Sequence, residues 1–214
     1  FNKVTGIIIS GNSGSGKSYF LTYILEMLNE ISDLIIIDPK FDSPSRWARS
    51  KGISVVHPKS NRSKSDFVSQ VNESLSLVLS TIYKRQEILY ENPKSEFKHI
   101  TIVIDEVLAL SEGVNKQIKE SFMSLVSTIA LLGRSTRCHL VLVSQRFDYN
   151  AVPVSVREQA NVLDQIGNIS SKTTQFLFFA LYYLARSTFY RRKVMALYKT
   201  YSKNQKTCAV TFEL

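Results

Sequence analysis

Apolar positions along this chain fall into two rhythms, continuous β-branched runs of four to seven residues and longer stretches with helical spacing. Val4 to Ser10 is a run of the first kind, ended by a glycine-rich turn, and reads as a strand buried on both faces. Ser18 to Ile31 follows with apolar residues at Phe20, Leu21, Ile24, Leu25 and Leu28, one face of an amphipathic helix. Leu34 to Ile37 is a second buried strand, stopped by Asp38-Pro39. A short helix over Ser45 to Lys51 leads to a third strand, Ile53 to Val56, closed by His57-Pro58. Lys59 to Lys64 is a polar loop, and Asp66 to Tyr90 a long amphipathic helix with Ser65 or Asp66 as N-cap. Asn92 to Lys98 reads as a linker. His99 to Ile104 and Cys138 to Ser144 are further strands either side of a helix over Asn115 to Leu132, with a sixth strand within Asn161 to Ile166. Strands alternating with helices predict an α/β fold, a mostly parallel sheet with helices on both faces. In such sheets ligands bind just past the C-terminal ends of strands.

Chemistry-bearing residues sit at those ends. Gly11-Asn12-Ser13-Gly14-Ser15-Gly16-Lys17-Ser18 fits G-x-x-x-x-G-K-[ST] in full, between a predicted buried strand and a predicted helix. The glycines let the backbone wrap so that successive N–H groups face a phosphate, and the helix adds the positive end of its dipole. Lys17 supplies an ammonium for the β- and γ-phosphates, Ser18 a hydroxyl for Mg²⁺, and Tyr19 closes the nucleotide-binding stretch. The pattern alone would arise by chance in about one chain of this length in a hundred; the flanking strand and helix make coincidence far rarer.

A second constellation is Ile100 to Ile104 followed by Asp105-Glu106. Asp105 can hold the Mg²⁺ shell, and Glu106 can polarise the attacking water as general base. The competing reading of Glu106 is an acid that merely starts the next helix. No guanine-specifying Asn-Lys-x-Asp occurs, because Asn115-Lys116-Gln117-Ile118 lacks the Asp. A water-activating Glu directly after the metal Asp favours hydrolysis over transfer to a small molecule. The third constellation is the strand tip Ser144-Gln145, where Gln145 can contact the γ-phosphate or the lytic water. Arg134, leaving a helix at Gly133, offers two readings: a cation on the helix C-terminus, or an arginine acting on a neighbouring subunit's nucleotide. For Arg137 and Arg146 the first of these readings is preferred.

These motifs together resemble the FtsK/SpoIIIE-type DNA translocases, and in particular the coupling ATPases of conjugative elements of Gram-positive bacteria. The resemblance rests on Gly11 to Ser18, Ile36-Ile37-Asp38-Pro39-Lys40, Ile102 to Glu106, and Gly133-Arg134 with Leu140 to Arg146, and spans about residues 4–180. It implies a RecA-like motor domain over 1–187 that uses ATP and Mg²⁺, assembles as a hexameric ring and moves DNA. Implied partners are DNA, a relaxase and a membrane secretion channel. Gln145 would then sense the γ-phosphate and Arg134 act in trans, while Asp38 and Lys40 shape the loop beside the nucleotide. The sequence departs from the family's usual Thr-Gln-Arg-Pro with Ser144-Gln145-Arg146-Phe147, and residues 188–214 match no motor C-terminus.

Composition adds a little. The net charge of +9 over 214 residues suits a polyanionic partner. Much of it comes from a tail, Lys172 to Lys206, with eight Lys or Arg and no acid; Phe189, Tyr190, Tyr198 and Tyr201 interleave with those charges. The C-terminal segment, residues 188–214, is expected to pack on or extend the core. Cys138 and Cys208 form no metal or disulfide pattern, so a reducing, cytoplasmic setting is expected and Cys138 reads as a buried thiol. Phe176 to Ala185 is too short to cross a bilayer and reads as a buried helix. Because Phe1 enters a core strand almost at once, the chain is expected to be part of a longer protein, with any membrane anchor of that protein outside it.

Overall fold

A computed structural model of the chain describes residues 4–147, 151–167 and 209–213. Seven strands form one sheet: β1 (Gly6–Gly11), β2 (Ser32–Ile37), β3 (Val55–Val56), β4 (His99–Ile104), β5 (Cys138–Ser144), β6 (Val162–Ile166) and β7 (Ala209–Glu213). Their spatial order is β3-β2-β4-β5-β1-β6-β7. The first six are mutually parallel, and β7 pairs antiparallel with β6, from Val162 opposite Glu213 to Ile166 opposite Ala209. The expected α/β sheet is therefore present, with one antiparallel strand at its edge.

Helices cover both faces, as a sheet buried on two sides requires. Residues of alternate parity along each strand feed the two cores. One core joins Ile8, Ile102, Ile104, Leu140 and Leu142 to α3 (Lys64–Glu91), α4 (Val107–Ser111), α5 (Lys116–Leu132) and α6 (Val154–Gln159). The other joins Ile7, Ile9, Ile36, Val103, Val141 and Val143 to α1 (Lys17–Asn29) and α2 (Ser43–Ser50). On α1 the buried stripe is Leu21, Leu25 and Leu28, each worth about 1.5–3 kcal/mol when fully buried. That stripe fixes the start of α1, and with it the glycine-rich turn, against the tips of the strands.

Most predicted elements lie within one to three residues of those observed, and β4 and β5 have the predicted bounds. The cap of α3 differs. Ser63, not Ser65 or Asp66, is the N-cap; its hydroxyl accepts from Asp66 N at 3.1 Å while the Asp66 carboxylate accepts from Ser63 N at 3.0 Å. Asp66 is thus the far half of a reciprocal capping box. The predicted helix at Phe176 to Ala185, the basic run Lys172 to Lys206 with its aromatics, and Cys208 lie outside the described residues. Among the described residues no helix is long and apolar enough to cross a membrane.

Candidate functional site

Three strand tips converge. β1 ends at Gly11, β5 at Ser144 and β4 at Ile104, and β5 lies between the other two. The phosphate-loop motif, Gln145 and the Asp105-Glu106 pair therefore share one edge of the sheet, although they are far apart in sequence.

The motif spans the turn between β1 and α1. Gly16 is the N-cap of α1 and no side chain caps it, which leaves the first-turn N–H groups free for an external anion. Close packing explains Gly11: a Cβ there would lie 2.4 Å from Ile166 O on β6. The Ser15 hydroxyl is buried in the loop without a hydrogen-bond partner. Lys17 Nζ folds over the loop and donates to Gly11 O at 2.5 Å and Asn12 O at 2.9 Å. Burial lowers the Lys17 pKa and the Lys40 charge lowers it further, against the opposing pull of Glu106 and Asp105. Tyr19 is largely exposed, on the outer side of α1.

On β4, Asp105 is buried with its backbone N–H bonded to Ile37 O at 2.9 Å. Burial, with the negative charges of Asp38 and Glu106, pushes its pKa up to about 6. An acid so placed is ionised most readily beside a cation. A buried carboxylate short of positive charge, a free helix N-terminus and an orphaned hydroxyl suit a phosphate with its divalent ion. Ser18 and Asp105 would hold Mg²⁺, which would neutralise phosphate charge there, and Gly11 to Ser18 would hold the phosphates.

Glu106 occupies left-handed backbone, φ 48° and ψ 63°, as the N-cap residue of α4. That conformation is strained for a residue with a side chain, and such strain gathers at functional sites. The carboxylate is buried and carries four contacts. Oε1 accepts from Ser144 Oγ and Gln145 N, both at 3.3 Å; Oε2 accepts from Gln145 Nε2 at 3.5 Å and from Lys40 Nζ at 2.5 Å. Burial raises its pKa, but the Lys40 ammonium and the Gln145 donors outweigh this and hold it below the ordinary value. Glu106 does precede a helix, so both sequence readings describe its position, and its contacts with Gln145 join two of the predicted groups.

The Lys40 contact was not foreseen. Sequence had Asp38 and Lys40 shaping the loop after β2. Asp38 does so: fully buried, it accepts from Lys40 N and Phe41 N at 3.0 Å each, Asp42 N at 2.9 Å and Ser45 Oγ at 2.6 Å. Lys40 instead sends its side chain to Glu106, 66 positions along the chain. The usable signal was topological, since β2 pairs with β4 and both end at this edge.

Arg134 lies elsewhere. It follows α5 and precedes β5, at the opposite, N-terminal edge of the sheet. β5 has seven residues, so roughly 20 Å of strand separates Arg134 from Gln145, too far for it to serve its own phosphate loop. It is exposed and makes no side-chain hydrogen bond or ion pair within the described residues. Arg137 is tied down, with Nη1 donating to Phe97 O at 2.9 Å and Nη2 3.4 Å from Glu96. Arg146 is exposed and 3.4 Å from Glu112. Cys138 is buried as expected.

A glycine-rich loop on a buried strand, a following helix and an Asp-Glu pair two strands away define a P-loop ATPase of the RecA-like α/β type. Residues 5–150 match the AAA domain family, and the chain belongs to it. The chain is 24% identical over 177 residues, 79% of its length, to the FtsK domain-containing protein YdcQ of Bacillus subtilis strain 168. In fold it is similar to the pCW3 conjugation coupling protein TcpA, solved with ATPγS, with a TM-score of 0.67 and 23% identity over 82% of this chain. It is also similar to the cytoplasmic domain of the type VII secretion ATPase EccC of Thermomonospora curvata, with a TM-score of 0.58 and 20% identity over 80% of this chain. The FtsK/SpoIIIE-type resemblance read from the motifs is supported by these matches. The chain spans 36% of YdcQ, 52% of the TcpA chain and 22% of the EccC chain.

Proposed function

We propose that this domain is the ATP-hydrolysing motor of a DNA-translocating assembly, a coupling ATPase that moves DNA during conjugative transfer or segregation. The observation that carries the hydrolytic part is the convergence of Glu106 and Gln145 beside the phosphate loop. In this reading Gly11 to Ser18 bind the phosphates, and Ser18 and Asp105 hold Mg²⁺. Glu106 activates water, and Gln145 couples the state of the γ-phosphate to the segment after β5. Arg134, unable to reach its own site and free of internal partners, serves the site of a neighbouring copy, which favours a ring and specifically a hexamer. DNA would be held chiefly through its phosphates by the basic surface. Together with the likeness to YdcQ and TcpA, this favours a cytoplasmic position beside a relaxase and a membrane channel.

One observation favours a second reading. The Lys40–Glu106 ion pair ties up the general base, as expected of an ATP-gated docking module for a relaxase or channel with little intrinsic hydrolysis.

The deciding measurement is steady-state ATP hydrolysis by the wild type and Lys17→Ala, with and without double- or single-stranded DNA, across a salt series. The motor reading expects Lys17-dependent turnover that DNA stimulates and salt suppresses. Lys17-dependent nucleotide binding with slow turnover that DNA does not change would replace it with the docking module.

A further inference from the structure

We propose that Lys40 reads the terminal phosphate: its ammonium exchanges between the Glu106 carboxylate and the γ-phosphate of ATP, and Glu106 becomes a usable base only after the exchange. This rests on the ATPase reading above and adds a residue and a means of distinguishing ATP from ADP.

A general base needs a free lone pair. Glu106 has none to spare while Lys40 is on it, because Oε2 is held in an ion pair and Oε1 already accepts from Ser144 and Gln145. One of these partners must leave before a water can donate to the carboxylate. The Ser144 hydroxyl and the Gln145 backbone N–H are placed by β5 and its tip, and the Gln145 amide contact is long, at 3.5 Å, and uncharged. Lys40 is the charged partner, on a long, rotatable stem.

The two ends of the ion pair also differ in freedom. The Glu106 side chain is 8% exposed and the Lys40 side chain 48% exposed. The Lys40 backbone is held by the Asp38 carboxylate, which bonds three successive N–H groups of the loop and the Ser45 hydroxyl. Phe41 closes the loop with φ 53° and its ring stacked on His57, centroids 3.9 Å apart. Movement is therefore confined to the Lys40 side chain, which swings from a rigid base.

Its destination follows from charge. On Glu106 the ammonium shares its carboxylate with Gln145 at the tip of β5, and β5 is the strand next to β1 and its phosphate loop. A terminal phosphate beside Lys17 carries more charge than one carboxylate and accepts several donors. ADP brings no γ-phosphate and leaves Lys40 on Glu106. ATP takes Lys40 away and frees the base in the same event.

The test uses Lys40→Met, Lys40→Arg, Glu106→Gln and the Lys40→Met/Glu106→Gln double variant. ATPγS and ADP affinities are measured by calorimetric titration, and hydrolysis in single turnover. In Lys40→Met, ATPγS affinity is expected to fall about tenfold with ADP affinity unchanged, a loss the size of one charge-assisted contact. Lys40→Arg should restore the preference for ATPγS. Glu106→Gln, which releases Lys40 from its carboxylate, should bind ATPγS several-fold more tightly than wild type, and that gain should vanish in the double variant. An unchanged ATPγS-to-ADP ratio in Lys40→Met overturns the exchange: faster hydrolysis then means that Lys40 only restrains Glu106. A parallel loss for both nucleotides with a lowered Tm means a structural role and overturns it equally. Wild type that binds neither nucleotide would instead refute the ATPase reading itself.

Discussion

The two ends of this sheet are built from the same strands and follow opposite rules. At the N-terminal edge several polar groups meet partners within the protein. Ser32 and Thr101 share a buried hydrogen bond of 2.7 Å, and His99 Nδ1 lies 2.8 Å from His139 Nε2. Arg85 Nη1 donates to Thr136 O at 2.7 Å while its guanidinium sits over the Phe97 ring. At the C-terminal edge three acids, Asp38, Asp105 and Glu106, crowd together. Ser10 Oγ, Ser15 Oγ and Gln165 Oε1 are buried there without a hydrogen bond. Buried polar groups are normally satisfied, so a set that is not, on a strained edge where acids crowd, marks where the fold was shaped around something other than its own stability.

Arg134 stands apart at the N-terminal edge, and it gives the largest expected effect. It protrudes from a hydrogen-bonded turn: Thr136 Oγ1 donates to Gly133 O at 3.1 Å and Cys138 N to Gly133 O at 2.9 Å. Arg134→Ala is expected to lower hydrolysis by about 10³-fold or more, the scale of a transition-state arginine, with nucleotide affinity kept. Arg137→Ala should change turnover far less, because that guanidinium is committed to Phe97 and Glu96. Mixing inert Arg134→Ala with inert Lys17→Ala should restore activity, since each copy supplies what its neighbour lacks. If the mixture stays inert while both variants assemble, Arg134 does not act in trans.

Next in size is the turn itself. A Cβ on Gly133 would lie 2.2 Å from Cys138 O and 2.7 Å from Ile129 O, both backbone atoms that cannot yield cheaply. Gly133→Ala should cost about 1–3 kcal/mol in guanidinium denaturation, as overpacking does. Gly52→Ala is the contrast. Unlike Gly133, whose φ is −68°, that residue needs positive φ, 71°, but its Cβ would enter open space, so its cost is the backbone strain alone, about 1 kcal/mol. Equal losses would show that the helix-to-strand packing at Gly133 is softer than its geometry implies.

How much of this was readable beforehand follows the range of the interactions. Strands β4 and β5 could be bounded to the residue because a buried parallel strand is an unbroken apolar run, and Asp105 and Gln145 are where such runs stop. The phosphate loop was legible because its chemistry is local. Helices α4 and α6, of five and six residues, are too short to show a period; α6 went unseen and α4 entered only as the competing reading of Glu106. Strand β7 exists through its pairing with β6, 43 positions or more away, which no local pattern encodes. Ser63 was missed as a cap because Asp66, its partner, is itself a good cap residue. The Lys40–Glu106 pair was missed for want of strand order: once β2 is known to neighbour β4, the residues after both tips become obvious partners.

The smallest predicted effect sets the two edges directly against each other through pH. Burial, with the charge of His99, pushes the His139 pKa down to about 4, whereas burial and Asp38 push Asp105 up to about 6. A depressed imidazole contributes stability that is complete above its unfolded pKa of about 6.5 and lost as pH falls toward 4. A raised carboxyl does the reverse: its contribution is complete below about 3.9 and lost as pH rises through 6. Between about pH 5 and 6 the two slopes oppose, each at most about 1.4 kcal/mol per pH unit, so the wild type should vary little with pH across that window. His139→Gln should leave a stability that declines as pH rises, and Asp105→Asn one that increases. The two substitutions also differ at neutral pH, where Asp105→Asn removes a buried charge and should stabilise the protein, while His139→Gln should not. Denaturation midpoints at three pH values across the window decide it. If Asp105→Asn is no more stable than wild type at neutral pH, the acidic edge is better compensated from within than its crowding implies, and the contrast between the two ends of the sheet weakens.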